Sequence, residues 1–272
     1  MTYRQTGIVQ IGLTRDAKHN YYIDGNGPLP SVTTILRIVD KSGPLVGWAK
    51  RITAEAAVDH RAELEGWVQL GGRDGAVGFL TKAASTVTER AATTGANIHA
   101  LAESITLGHD VTVTDEQAPF VAAYRQWLAD FAPEFLAAEE MVCNVSVGYA
   151  GTFDAIVKIA GEMWLLDLKT GKGIYPDMAL QLAAYGHSEF IGRAGEAVRF
   201  GIPPIDHYGI LHVRPEGYEL VPYDVGEAEF DAFLAAKRLY DWRQDREPKM
   251  MGQAIGPRLV NFPHAPAKEA IA

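Results

Sequence analysis

Apolar and polar positions change period several times along the chain. Near the start, apolar runs at 8–13 and 21–23 flank a polar segment, Arg15-Asp-Ala-Lys-His-Asn20, and the turn formers Asp24-Gly-Asn-Gly-Pro28 follow. That pattern predicts a β-hairpin region closed by a turn. Ser31 stands where an N-cap belongs, ahead of a short helix over 32–39. From 44 to about 108 the spacing is helical and Ala-rich, with breaks expected near Gly71-Gly72 and Gly75. A further helix over 116–131 carries Phe120, Tyr124, Trp127 and Phe131 on one stripe. Such a stripe predicts a core-facing side and not a cofactor site.

The period changes again at Glu134. Strands are expected over 141–147, 151–159 and 163–169, then a helix over 176–191 with Pro176 in its first turn. Strands over 208–213 and 218–221 and a helix over 226–243 follow. Helices first and ββ(β)αββα afterwards predict an α+β fold with a helical N-terminal lobe. The expected division is 1–92 for hairpin and lobe, 93–246 for the core, and 247–272 for a Pro- and Ala-rich tail.

Chemistry concentrates on the segment from Gly151 to Lys169. Ala160-Gly161 reads as a tight turn, so Ile159 faces Glu162 and, counting back, Asp154 faces Asp167. Opposed residues on antiparallel strands share a face, with Cβ atoms about 4.5–5.5 Å apart. Lys169 lies two residues on and shares that face. The other face is apolar: Phe153, Ala155, Val157 and Ile159 against Trp164, Leu166 and Leu168. Two such close carboxylates repel unless a cation lies between them, and Mg²⁺ or Mn²⁺ suits oxygen ligands. Lys169 would stabilise negative charge developing on a phosphoryl oxygen or orient a water, which fits metal-assisted hydrolysis of a phosphodiester. The spacing alone fits equally well a surface hairpin with an Asp167–Lys169 salt bridge.

Composition narrows the classes. Hydrophobic residues make up 47% and charged residues 22%, which excludes a disordered chain, a coiled coil and a collagen-like fibre. No run of about 18 apolar residues predicts a membrane span. The N-terminus lacks the charged-then-apolar pattern of a signal peptide, so a cytoplasmic location is expected. Cys143 is the single cysteine, which excludes an internal disulfide, a four-cysteine zinc site and an iron–sulfur cluster. Lys and Arg number 25 against 34 Asp and Glu, a net charge of −9. Any nucleic-acid function must therefore use a local basic groove or bound cations; Lys50, Arg51, Lys169 and Lys172 are candidates for lining it. The Thr170-Gly-Lys-Gly-Ile-Tyr175 loop lacks the full phosphate-loop pattern, and no H-E-x-x-H protease motif occurs.

Gly151-Thr-Phe-Asp154, Asp167-Leu-Lys169 and Gln181-Leu-Ala-Ala-Tyr185, in this order, resemble the PD-(D/E)XK nuclease superfamily, nearest its RecB-like branch of CRISPR-associated and phage exonucleases. The likeness covers about 95–190. It implies a central mixed sheet flanked by helices, with Asp154 and Asp167 binding the metal, the Leu168 carbonyl as a further ligand, and Lys169 as the catalytic lysine. It also implies a metal-ligating role for His99 of Gly95-Ala-Asn-Ile-His99, whose i+4 companion is Glu103. Gln181 and Tyr185 would orient the lysine or contact DNA. Lys172 is expected to reach a phosphate from its own place on the loop between strand and helix. Glu139 and Glu140 supply a further carboxylate or face solvent. The lone Cys143 departs from relatives that hold an iron–sulfur cluster and favours a cluster-free, phage-like version. The implied activity is a divalent-metal-dependent DNA exonuclease of replication, recombination or repair, with DNA and a recombination or replication protein as partners. A structure-specific or nicking endonuclease, and a catalytically silent DNA- or protein-binding module, are the alternatives.

Overall fold

The computed structural model describes residues 12–18, 20–39, 42–193, 196–197 and 199–252. The first part of the expected hairpin, 8–11, and the tail beyond 252 lie outside the described residues. The N-terminal strands are β1 (Leu13–Arg15), β2 (Tyr21–Ile23) and β3 (Asn26–Leu29), followed by helices α1 (Val32–Leu36), α2 (Ser42–Asp59), α3 (Arg61–Thr106) and α4 (Ala118–Phe131). Strands β4 (Glu134–Ala138), β5 (Met141–Asn144), β6 (Tyr149–Thr152), β7 (Ala155–Ile159) and β8 (Glu162–Lys169) lead to α5 (Met178–Gly186). The chain continues through β9 (Phe190–Gly192), β10 (Arg199–Phe200), β11 (His207–Arg214), β12 (Gly217–Tyr223) and α6 (Glu227–Asp245). The fold is α+β, with a mixed sheet flanked by helices.

Local chemistry sets several boundaries. Ser31 caps α1, its side chain accepting from the Thr34 N–H at 3.0 Å, and Val32 and Ile35 bury against the core. The long α3 kinks at Gly72, where φ 57° and ψ −148° lie outside the helical region. Only glycine enters that region without steric cost. Gly75 does not break the helix, and α3 runs through the expected 92/93 boundary uninterrupted. None of the described residues over 43–97 is buried. Arg15, expected in a loop, belongs to β1 opposite Tyr21, and Asn26, Gly27 and Pro28, expected in the turn over 24–28, belong to β3.

The five-stranded sheet has the order β12-β11-β8-β7-β4, with β8 and β11 parallel and their other partners antiparallel. On β7 and β8 the register runs from Ile159↔Glu162 to Ala155↔Leu166, as the Ala160-Gly161 turn requires. Both faces are covered. Ile156, Leu165 and Ile210 pack with Val32, Leu182 and Phe233 on one side. Val157, Leu166, Leu168 and Leu211 pack with Ala102, Tyr124 and Trp127 on the other. A strand parallel to a neighbour and covered on both faces is buried nearly throughout. So Asp167, in mid-β8, is only 2% exposed.

The expected single strand over 151–159 is two strands in two sheets. β6 joins the order β10-β9-β5-β6, β7 joins the five-stranded sheet, and the chain bends at Phe153–Asp154 between them. The bend is stitched to the β4–β5 connection: Glu139 N–H donates to the Asp154 carbonyl at 3.0 Å, and Phe153 N–H to the Glu140 carbonyl at 3.2 Å. The interrupted alternation moves Phe153 to the side of Ile156 and Leu165, away from its expected place beside Ala155 and Val157. The helix expected to reach 191 stops at Gly186, because Phe190, Ile191 and Gly192 pair with Cys143, Val142 and Met141. β4, β9 and β10 had no separate strand signal.

Candidate active site

Three elements deliver the polar side chains to one point. The last third of α3 brings His99, the β4–β5 connection brings Glu139, and the bend between the sheets brings Asp154. His99 Nδ1 lies 3.5 Å from Asp154 Oδ1 and 3.8 Å from Glu139 Oε1. One ligand atom from each of the three residues falls within a span of 4.8 Å, close enough to hold a metal ion. Glu139 has φ 51°, in the left-handed region that few non-glycine residues adopt. That conformation is held by its N–H on the Asp154 carbonyl. Its neighbour Glu140 turns to Arg193, 2.9 Å away, outside the cluster.

Asp154 sits one position beyond the β7–β8 ladder, so its opposition to Asp167 is not a ladder pair. It is joined to β8 instead through the Leu168 N–H, which donates to Asp154 Oδ2 at 2.5 Å. Asp167 lines the same cleft as His99, Glu139 and Asp154. Its Oδ1 accepts from Gln181 Nε2 at 2.7 Å, and its Oδ2 forms a close ion pair with Lys169 Nζ. Gln181 Nε2 also donates to the Tyr185 hydroxyl at 3.1 Å. Tyr185 is buried against Gly151, where a Cβ would stand 2.6 Å from the ring. Gln181 is thus bonded to Asp167, the ion-pair partner of Lys169, and Tyr185 to Gln181. Lys172 is exposed on the loop after β8 and does not line the cleft beside the cluster. That loop is tied down by His212 Nε2, 2.7 Å from the Gly171 carbonyl.

The charges perturb one another strongly. Burial works against the charged form of His99, but Asp154 and Glu139 outweigh it and push the imidazole up to about 10. Burial also raises Asp154, yet His99, Lys169 and the Leu168 N–H bring it below the usual carboxylate range. Burial raises Glu139, with Asp154 and Glu103 adding to the rise against the pull of His99. Asp167 is pushed up to about 6 by burial, with Lys169 opposing. Lys169 is disfavoured by burial but held above its ordinary value by Asp167 and Asp154. Strongly perturbed, mutually coupled groups in one cleft make this the candidate functional site.

Along the sequence Glu139 reads either as a further carboxylate or as a solvent-facing residue, and the adjacent pair Glu139-Glu140 is its one visible signal. Arg15, Lys18 and Arg37, which line the same cleft, had none.

No protein-family model matches the chain, and no curated protein matches it. Among solved structures it is similar to one described as "Crystal structure of SSO0001", at 16% identity and a TM-score of 0.26. The match covers 47% of this chain and 57% of that one, and a likeness at this level carries no argument about fold or activity.

Proposed function

We propose that the chain is a divalent-metal-dependent deoxyribonuclease of the PD-(D/E)XK type, RecB-like branch, acting as a DNA exonuclease in replication, recombination or repair. The observation that carries this reading is the convergence of His99, Glu139 and Asp154 beside the end of β8, the strand bearing Asp167 and Lys169. One nitrogen and two carboxylate donors suit Mn²⁺ or Mg²⁺, the imidazole favouring Mn²⁺. The Leu168 carbonyl remains the further ligand that the family resemblance implies. The metal would polarise a phosphoryl oxygen and lower the pKa of a bound water.

The protein's own groups supply the rest. Lys169, a cation held beside two carboxylates, is placed to stabilise negative charge growing on the phosphoryl oxygens. Asp167, held by Gln181 and ion-paired to Lys169, keeps the metal-ligand role that the family resemblance implies. Tyr185 and Gln181 preserve its orientation through the Gly151 contact.

The test is incubation with end-labelled linear DNA, single- and double-stranded, in Mg²⁺ or Mn²⁺, beside Asp167→Ala and Lys169→Ala. Wild type should degrade DNA from an end, and either variant should lose at least ~10³-fold in rate. Cleavage of a closed circle would replace the exonuclease by an endonuclease. No cleavage of any substrate with either metal would leave the binding-module alternative.

A further inference from the structure

The cleft beside the cluster brings side chains of both charges together. Its lining includes His99, Glu139 and Asp154, and with them Arg15 from β1, Lys18 from the β1–β2 loop and Arg37 just after α1. The cations stand on a chain that otherwise has excess acid, and no described carboxylate forms an ion pair with any of the three. Asp16, between Arg15 and Lys18 in sequence, is occupied by its own loop. Its Oδ1 accepts from the N–H of Lys18 at 2.8 Å and of Asn20 at 2.9 Å. Arg15 is aimed into the cleft by its Nη1, which donates to Thr152 Oγ1 at 3.2 Å, two residues before Asp154. The Tyr21 hydroxyl meets the same Thr152 oxygen at 2.9 Å, fastening β2 to β6.

We infer that the N-terminal hairpin and the end of α1 are a phosphate-gripping wall, and that the cleft receives one strand of DNA between this wall and the metal cluster. Its volume, about 530 Å³, is in the range of a pocket for a single small ligand, a scale that favours one strand over a duplex. Arg37, Lys169 and Gln181 also line an adjoining groove of about 820 Å³ that continues toward Arg243, so a strand has a path beyond the site. The aromatic rings in the cleft, Tyr21 and Tyr185, are both buried, so they give bases no stacking platform. The three cations therefore point to recognition through the backbone phosphates.

This inference rests on the nuclease reading for the identity of the anion, but its test is binding. A 5′-fluorescein-labelled 20-mer, single-stranded or as a blunt duplex, is titrated with protein in Ca²⁺ and followed by anisotropy across a salt series. Arg15→Ala/Lys18→Ala/Arg37→Ala should weaken single-strand binding at least ~10-fold and flatten the slope of log K against log salt by about 2. A control at exposed cations elsewhere, Arg125→Ala/Lys158→Ala, should change neither. Tight wild-type binding left unchanged in the triple variant overturns the inference alone, as does duplex binding equal to or tighter than single-strand binding. Failure of wild type to bind either oligonucleotide overturns it together with the nuclease reading. Salt-sensitive binding lost in the triple variant, without cleavage in Mg²⁺ or Mn²⁺, upholds the wall and removes the hydrolytic reading.

Discussion

His99 shows how a single residue depends on its surroundings. On an isolated helix it would titrate near 6.5, but between Asp154 and Glu139 it is lifted to about 10 and carries a proton at pH 7. A metal ion takes the neutral imidazole, so binding must expel that proton. Mn²⁺ affinity should therefore rise about ten-fold per pH unit from 7 toward 9. Calorimetry in two buffers of different ionisation enthalpy should show about one proton released per ion, and His99→Gln should flatten the dependence. An affinity independent of pH would mean that His99 is not a ligand. In the metal-free protein the same shift has the opposite consequence. Because the folded value lies above 6.5, the stabilisation is complete below pH 6.5 and is lost as pH rises through about 10.

Elements meet where β6, β7, β8 and α5 converge, and there the site depends on close packing. Gly151 on β6 lets the Tyr185 ring approach, Tyr185 supports Gln181, and Gln181 holds Asp167. A methyl group at 151 cannot fit without moving the ring. Gly151→Ala should cost about 1–3 kcal/mol in a urea titration and lower kcat together. Tyr185→Phe keeps the ring and removes only the hydroxyl, so it should cost no more than about 1.5 kcal/mol while still reducing kcat. Equal behaviour of Gly151→Ala and wild type in both measurements would sever the link from β6 to the carboxylate.

Across the whole molecule, stability is uneven. β8 and β11 are buried on both faces of the five-stranded sheet, whereas no described residue over 43–97 is buried and Val58, Trp67, Val68 and Leu70 are exposed. Helical backbone without buried side chains opens at low free-energy cost. Hydrogen exchange read by mass spectrometry should find peptides of 43–97 exchanging far faster than those of β8, β11 and α5. Comparable protection in the two regions would show that the helical arm is covered in solution.

The sequence by itself determined what depends on neighbours along the chain. The β7–β8 register followed from a two-residue turn and strict alternation, the Ser31 cap from its position before Val32, and the α4 stripe from helical spacing. Asp167 and Lys169 on one face followed from the same alternation. The order of helices and strands was enough for α+β. Only the tertiary structure decided what depends on distant partners. It broke the expected strand at Asp154, because Glu139 and Glu140 hydrogen-bond across the bend and divide the segment between two sheets. It brought Glu139 to His99, and it carried Arg15 and Arg37 to the cleft from far upstream. Periodicity records which way a side chain points from its own element. Which other element it meets is set by sheet order and packing, and no local pattern encodes that.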